Sequence, residues 1–187
     1  MLSAFEPLYS AAEMKAAEKG HDVEELMERA GRAVADEILT RFAAARTFAA
    51  VCGGGANGGD GRIAAEFLRS SGWEERPVGD ADVVIDALFG TGFHGAPREE
   101  AAQQIRAMNS SGASVVAVDI PSGVDASTGE VPGEAASAEL TVTFHGRKVG
   151  HEVTPGRFHR GELIVADIGL EPGETEHALV TPQILEQ

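Results

Sequence analysis

Hydrophobic positions recur with a helical period in the first quarter of the chain. In the stretch after Asp22 they repeat every three or four residues, which predicts an amphipathic helix whose apolar stripe faces a core. The stripe consists of Val23, Leu26, Met27, Ala30, Val34 and Ile38. Two capping-box patterns, Ser10 with Glu13 and Asp22 with Glu25, mark the beginning of a short helix and of this longer one. Gly31 interrupts the longer helix at a cost of about 1 kcal/mol relative to alanine, so we expect a close contact there.

Further along the chain the pattern changes to short, continuous apolar runs separated by helical segments. Buried strands are predicted at 48–52, 81–90, 113–123, 139–144 and 161–170, and helices at 61–72 and 97–112. Apolar strands that alternate with helices are typical of a parallel sheet covered on both faces. We therefore predict an α/β fold with a mostly parallel central sheet.

Length, composition and charge narrow the class of protein. The 187 residues are 43% hydrophobic, and the single cysteine, Cys52, excludes an intramolecular disulfide. No apolar run reaches the roughly 18 residues of a membrane-spanning helix, so no membrane segment is expected. Thirty acidic residues against 15 basic ones give a net charge of −15, which disfavours nucleic acid or an anionic membrane as a partner. These features predict a cytoplasmic protein.

Each of the first three predicted strands ends in a polar, glycine-containing segment. The segments are GGGANGGDG (53–61), DALFGTGFHGAP (86–97) and DIPSGVD (119–125). In open parallel sheets, ligands bind beyond the carboxyl ends of the strands, so three such segments predict a binding site. Gly53, Gly55 and Gly58 also fit GxGxxG, which by itself is only weak support for a nicotinamide-dependent oxidoreductase. No lysine follows these glycines, which excludes a Walker-type phosphate loop.

Oxygen-bearing side chains at these strand ends favour a hard cation. Asn57, Asp86, Asp119 and Ser122 offer amide, carboxylate and hydroxyl oxygens, which are the ligands that such ions take in proteins. Asp60 beside an anionic ligand is unfavourable unless a cation or a protonated state of Asp60 intervenes. Local hydrogen bonding in turns or helix caps is the alternative interpretation of Asp119 and Ser122.

Several segments resemble the YjeF N-terminal domain, the family of NAD(P)H-hydrate epimerases. They are NGGDG (57–61), DALFGTG (86–92), VDIPSG (118–123), TVTFHGRKVG (141–150) and GELIVADIGL (161–170), together with PLYSAAEM (7–14) and LMERAGRAV (26–34). The resemblance predicts one domain over residues 1–170, followed by a polar tail over residues 171–187. Ala56 stands where the family usually has an asparagine.

The resemblance also implies a Rossmann-like three-layer sandwich. Between Asp60 and Asp86 the family carries a further strand and helix, whereas this chain has only SSGWEERPVGDA after its predicted helix. We therefore expect a sheet shortened by one βα unit.

What the resemblance implies about function is repair of damaged nicotinamide cofactors. The enzyme would interconvert the R and S epimers of hydrated NADH and NADPH (NADHX and NADPHX), so that an ADP- or ATP-dependent dehydratase can act on the S form. By motif position, the substrate would contact Ala56, Asn57, Gly58, Gly59, Asp60, Gly90, Thr91, Gly92, Phe93, His94, Gly95, Ala96 and Asp119. A potassium ion would be held by Asn57, Asp86 and Ser122. A homodimer is also implied, with the N-terminal helices as its contact.

Epimerisation at a carbon bonded to the ring nitrogen needs a general acid and a base within about 3 Å of the hydroxyl oxygen. Asp60, Asp119 and Lys148 are the candidates, with His94 and His145 as weaker ones. A solvated surface position is the alternative for Lys148. Removal of Asp119 is expected to leave folding intact, since a carboxylate at a strand end serves the site rather than the core. The competing function is a noncatalytic ligand-binding or scaffold module on the same fold.

Overall fold

The computed structural model describes residues 5–180 as nine strands, five α-helices and two single-turn 3-10 helices. The strands are β1 (Phe5–Tyr9), β2 (Thr47–Cys52), β3 (Glu74–Glu75), β4 (Val83–Ala87), β5 (Ser114–Val118), β6 (Leu140–Phe144), β7 (Arg147–Lys148), β8 (Glu162–Ala166) and β9 (His177–Val180). The α-helices are α1 (Ala11–Ala17), α2 (Val23–Arg41), α3 (Ala56–Ser70), α4 (Glu99–Ser110) and α5 (Val149–Glu152), and the 3-10 helices are Val78–Asp80 and Gly156–Phe158. None of the helices described is long and apolar enough to cross a membrane.

Six strands form a parallel sheet in the order β3-β2-β4-β5-β6-β8. The apolar residues of β4 alternate between two core clusters, because successive side chains of a strand point to opposite faces. Ile85 packs in the cluster with α2 and α3, whereas Val84 packs in the cluster with α4. The predicted three-layer α/β sandwich is therefore confirmed.

The structure corrects one helix boundary and the burial expected along another helix. The helix predicted at 61–72 begins five residues earlier, so the segment from Ala56 to Asp60 is the first turn of α3 rather than a loop. Glycine has low helix propensity, and this hid the start of α3. In the apolar stripe of α2, Val23 is 60% exposed and Met27 is only partly buried, whereas the other four positions are buried. Both residues line a cavity instead of packing in the core.

The close contact expected at Gly31 is confirmed. A Cβ atom there would lie 2.6 Å from the Cβ of Ile63 and 2.7 Å from the carbonyl oxygen of Asp60. Only a residue without a side chain allows α2 to approach α3 this closely. The contact places the beginning of α3, which carries Asp60, directly against α2.

The segment between α3 and β4 contains a strand, β3, which the sequence prediction lacks. β3 pairs with β2 through two residue pairs, Thr47 with Glu74 and Phe48 with Glu75. The 3-10 helix Val78–Asp80 follows, with no α-helix before β4. The prediction that a whole βα unit is missing is thus wrong for the strand and correct for the helix.

A second sheet, in the order β7-β1-β9, is absent from the sequence prediction. β1 pairs in parallel with β7 and antiparallel with β9, so it joins the segment before α1 to two distant parts of the chain. The segment after residue 170, predicted as a polar tail, therefore contributes a strand. Residues 181–187 of that tail lie outside the described residues, and the domain boundary at residue 170 stays a prediction.

Candidate functional site

A cavity of about 980 Å³ lies at the carboxyl ends of β2, β4 and β5. Residues from α1 and α2 form one part of its wall, and the glycine-rich turn before α3, the segment after β4 and the beginning of α4 form the rest. The order of the strands reverses between β2 and β4, and a crevice at such a reversal is where ligands bind in α/β sheets. The volume falls within the range of small-molecule sites.

Most of the residues predicted to contact a substrate line this cavity. They are Ala56, Asn57, Asp60, Gly90, Thr91, Gly92, Phe93, His94, Ala96 and Asp119. Gly58, Gly59 and Gly95 do not line it. Gly58 packs against the backbone, where a Cβ atom would lie 2.0 Å from the carbonyl oxygen of Gly53, and a Cβ at Gly59 would lie 2.7 Å from the sulfur of Met27. Gly95 has a φ of 76°, which glycine adopts without strain.

Asp119 and Lys148 form an ion pair beside the cavity. The Nζ of Lys148 lies 2.6 Å from the Oδ1 of Asp119, and it also donates to the Oγ1 of Thr143 at 2.8 Å and to the carbonyl of Phe144 at 2.9 Å. The hydroxyl of Thr143 donates to the same Asp119 oxygen at 2.9 Å. Lys148 is fully buried, so its interpretation as a solvated surface lysine is wrong. Asp119 lines the cavity and Lys148 lies behind it.

The backbone of Asp119 adopts a left-handed conformation, with a φ of 66°. His151, which is fully buried, lies 2.9 Å through its Nε2 from the carbonyl oxygen of Asp119, while its Nδ1 accepts from the backbone N–H of Lys148 at 3.0 Å. Since a backbone N–H can only donate, Nδ1 carries no proton and Nε2 donates to the carbonyl. Burial, followed by the charge of Lys148, lowers the pKa of His151 to about 3, so the ring is neutral. Sequence reasoning missed His151, although its spacing three residues after Lys148 is that of a helix cap.

The carboxyl groups of Asp60 and Asp119 differ in proton affinity. Burial, then the charges of Asp119 and Glu18, raise the pKa of Asp60 to about 8. Burial would also raise the pKa of Asp119, but the charge and hydrogen bond of Lys148 outweigh it, so that this pKa is lowered. Near pH 7, Asp60 therefore holds a proton and Asp119 does not. Two carboxyl groups with opposite protonation in one cavity are suited to be an acid and a base.

Glu18 is a further carboxylate of the cavity, and sequence reasoning missed it. Partial burial, then the charge of Asp119, raise its pKa. A glutamate at the end of a helix is ordinarily a solvated charge, and only the packing of α1 brings this one to the cavity.

Of the two histidines considered above, His94 lines the cavity with its Nδ1 2.9 Å from Asp125, whereas His145 packs against the ring of Tyr9, away from it.

Asn57, Asp86 and Ser122, the residues predicted to hold potassium, meet around the backbone of Phe89. The hydroxyl of Ser122 donates to Asp86 at 2.6 Å and accepts from the N–H of Phe89 at 2.9 Å, while the side-chain amide of Asn57 donates to the Phe89 carbonyl at 2.9 Å. Asp86 is fully buried, and no lysine or arginine in the described part of the chain pairs with it. Burial raises its pKa to about 6, although hydrogen bonds from Ser122 oppose the rise.

This oxygen-rich set fits a hard cation by the chemistry of its donors. It offers one carboxylate, an amide oxygen, a hydroxyl and a backbone carbonyl, and the carboxylate has hydrogen-bond donors but no positive charge beside it. This mixed set differs from a metal site built from several histidine, cysteine or carboxylate ligands. Over residues 5–180, no group of three or more His, Cys, Asp or Glu side chains is arranged to hold a metal ion.

Comparison with known proteins agrees with the resemblance to the YjeF N-terminal domain. The family model described as "YjeF-related protein N-terminus" matches residues 23–79 and 73–150. The chain is 38% identical over 175 residues to an NAD(P)H-hydrate epimerase of Limosilactobacillus fermentum, an alignment that covers 76% of this chain and 84% of that protein. The crystal structure of yeast ynu0 superimposes with a TM-score of 0.72 at 18% identity, covering 94% of this chain and 100% of the yeast chain, and therefore supports the fold alone.

Other relatives are longer than this chain. It is 38% identical over 188 residues to a bifunctional NAD(P)H-hydrate repair enzyme Nnr of Pyrobaculum aerophilum, with 79% of this chain but 38% of that protein aligned. The corresponding enzyme of Methanothermobacter thermautotrophicus is also 38% identical, over 87% of this chain and 39% of its own length. The chain thus spans about two fifths of these bifunctional relatives.

Proposed function

We propose that this chain, which belongs to the family of YjeF-related protein N-termini, is an isomerase that interconverts the R and S forms of NADHX and NADPHX. The relatives named NAD(P)H-hydrate epimerase support the substrate and the reaction. The observation that carries the proposal is the pair of buried carboxyl groups, Asp60 and Asp119, which hold opposite protonation states in one cavity. An epimerase that removes and returns a hydroxyl group needs this combination.

Asp60 is the general acid in this proposal. The hydroxyl leaves from the carbon bonded to the ring nitrogen, and protonated Asp60 gives it a proton so that it departs as water. The lone pair of the nitrogen forms an iminium ion as the C–O bond breaks. Water then adds to the opposite face of the ring and loses one proton to Asp119, so that the atoms and charges of the substrate are restored. Proton exchange with solvent then removes the proton from Asp119 and returns one to Asp60, which restores the enzyme for the next turnover.

Asp119 is the carboxylate that stabilises the iminium ion and accepts the proton of the returning water. Its negative charge lies beside the developing positive charge of the ring, where a preorganised opposite charge contributes most to catalysis. Lys148 and Thr143 keep Asp119 ionised, and His151 holds its backbone carbonyl. Lys148 is therefore a positioning residue, since it lies behind Asp119 rather than at the cavity surface.

The test is an epimerisation assay with purified R-NADHX and R-NADPHX, in which the two epimers are separated by chromatography over time. We expect the protein to bring each substrate to the equilibrium mixture faster than the uncatalysed reaction does. Substrate binding without acceleration would contradict the proposed enzymatic activity and support a noncatalytic binding or scaffold module.

In the cell, we propose that the protein acts in the cytoplasm and is coupled to an ADP- or ATP-dependent dehydratase that consumes the S form.

Potassium is the cofactor in this proposal. The oxygens of Asn57, Asp86 and Ser122 would hold it, and its chemistry is to offset the charge of Asp86 and of an anionic substrate. A monovalent cation suits this role because it does not demand the near-ideal octahedral geometry of magnesium.

Replacing Asp86 with asparagine is expected to weaken potassium dependence and substrate binding together, because the substitution removes the only carboxylate of the proposed set. Substrate affinity should be measured in potassium and in a bulky organic cation at equal ionic strength. Equal affinity in the two cations, with an Asp86→Asn variant that differs from wild type only in melting temperature, would contradict a functional potassium site.

A homodimer through the N-terminal helices is expected in solution. Light scattering should give twice the chain mass of 19.5 kDa. A mass equal to that of the single chain across the micromolar range would contradict the dimer.

A further inference from the structure

Acidic side chains dominate the charge around the cavity. Among the described residues that line it, Glu18, Glu100 and Asp119 are acidic in addition to the protonated Asp60, whereas Arg98 is the one arginine or lysine. A hydrated dinucleotide carries a negatively charged diphosphate, and like charges across a binding surface oppose association. Binding of this substrate class therefore needs a positive group at the cavity, and Arg98 is the side chain available.

The guanidinium of Arg98 is not engaged elsewhere in the fold. Eight arginines form ion pairs with carboxylates: Arg29, Arg32, Arg41, Arg69, Arg76, Arg106, Arg147 and Arg160. Arg46 and Arg62 donate to backbone carbonyls. Within residues 5–180, only Arg98 and Arg157 remain without a side-chain hydrogen bond or ion pair, and Arg157 does not line the cavity.

The acidic residue next to Arg98 in the chain does not neutralise it. The carboxylate of Glu99 accepts hydrogen bonds from Arg106 at 2.6 Å and from Gln103 at 3.1 Å, both on the same helix. These bonds hold Glu99 along α4 and leave the charge of Arg98 available to a ligand.

The backbone that carries Arg98 is anchored, while its side chain is exposed. Arg98 is the N-cap residue of α4 and lies two residues after Ala96, in a stretch that contributes most of its residues from Gly90 onward to the cavity wall. The hydrogen bond between His94 and Asp125 at 2.9 Å holds this segment, and a Cβ at Gly133 would lie 3.2 Å from Ala96, which shows how closely the two loops pack. A fixed base with an exposed fork of N–H donors suits bidentate binding of phosphate oxygens.

We infer that Arg98 is the phosphate-recognising residue of this cavity, and that it binds either the diphosphate common to both dinucleotides or the 2′-phosphate that only NADPHX carries. The inference rests on the proposed function for the identity of the substrate. Arg98 contributes to binding rather than to chemistry, so its loss raises KM and leaves kcat nearly unchanged.

The experiment compares Arg98→Gln with Arg157→Gln, a matched control that also removes an arginine without a partner. Calorimetric titration with NADH and NADPH measures binding without turnover, and kcat and KM are measured with NADHX and NADPHX. We expect Arg98→Gln to weaken binding by about 10- to 100-fold, the usual effect of losing a charge-assisted hydrogen bond. Arg157→Gln should bind as wild type does, and Arg98→Lys should recover part of the loss.

The two dinucleotides identify the phosphate group. Equal weakening for NADH and NADPH assigns Arg98 to the diphosphate, and weakening for NADPH alone assigns it to the 2′-phosphate. Unchanged affinity and KM for both dinucleotides in Arg98→Gln would overturn the inference, even if the wild-type protein is an active epimerase. Conversely, weakened binding in Arg98→Gln with no epimerisation by the wild-type protein would support the role of Arg98 and contradict the proposed function.

Discussion

Replacement of Asp119 by asparagine is expected to lower kcat/KM for epimerisation by about 10²- to 10⁴-fold. An amide cannot accept a proton from the returning water, and it carries no charge to stabilise the iminium ion. Asparagine is the informative substitution because it tolerates the left-handed backbone that residue 119 adopts, with its φ of 66°, whereas alanine would add strain. The measurement is turnover of R-NADHX by the purified variant, and wild-type turnover would contradict the role of Asp119.

The same variant is expected to lose stability, contrary to the sequence-based expectation that folding would be unaffected. Lys148 is fully buried and has Asp119 as its carboxylate partner, so the substitution leaves its ammonium group without a counter-charge. Removing one member of a buried pair typically costs about 3–5 kcal/mol. Denaturant unfolding of the variant measures this cost.

A double variant, Asp119→Asn with Lys148→Met, separates the two effects. Removing both charges eliminates the uncompensated ammonium group, and replacing a whole buried pair by uncharged groups is often neutral in stability. We therefore expect the double variant to recover most of the lost stability and none of the lost activity. Recovery of activity along with stability would show that the single substitution acts through folding alone.

Activity is expected to fall as the pH rises through about 8. Asp60 must carry a proton to act as the acid, and its pKa is raised to about 8, first by burial. kcat/KM should therefore be nearly constant around neutral pH and fall about tenfold per pH unit well above pH 8. Asp60→Asn should lower kcat/KM by about 10²- to 10⁴-fold and remove this pH dependence from the residual activity.

The stability of the Asp60→Asn variant should move in the opposite direction to its activity. Because the folded-state pKa of Asp60 lies above its ordinary value of 3.8, the folded protein binds more protons than the unfolded chain between these two values. Stability contributed by this group is therefore lost as the pH rises from about 4 to about 8, and an uncharged amide avoids that loss. We expect the variant to melt at a higher temperature than wild type at pH 8.

Asp82→Asn is the matched control for the Asp60 variant. Asp82 accepts hydrogen bonds from the backbone of Arg46 and Thr47 and lies outside the cavity, and these bonds lower its pKa. Its substitution should leave the pH profile of activity unchanged and should not stabilise the protein. If Asp60→Asn retained the alkaline fall in activity, another group would be the acid.

The strands of the central sheet could be predicted from the sequence because each is a short, continuous apolar run. Such a run is recognised from adjacent residues alone. β4 and β5 lie inside the predicted segments 81–90 and 113–123. The beginning of α3 at Ala56 was missed because four of the first six residues of the helix are glycine or asparagine, which have low helix propensity. The sheet of β1, β7 and β9 was missed because its strands have two to five residues and are held by pairing between distant segments.

Hydrophobic periodicity and motifs were sufficient to predict the α/β class, the family and the strand ends at which the candidate site lies, since the carboxyl ends of parallel strands meet at one edge. Three features follow from the packing of the folded chain and were not predictable from the sequence: Lys148 is buried, His151 donates to the Asp119 carbonyl, and Glu18 reaches the cavity. The same packing determines which carboxyl group carries the proton, Asp60 rather than Asp119. The physical reason is that proton affinity depends on burial and on charges from segments far apart in the chain, whereas hydrophobic periodicity is a property of neighbouring residues.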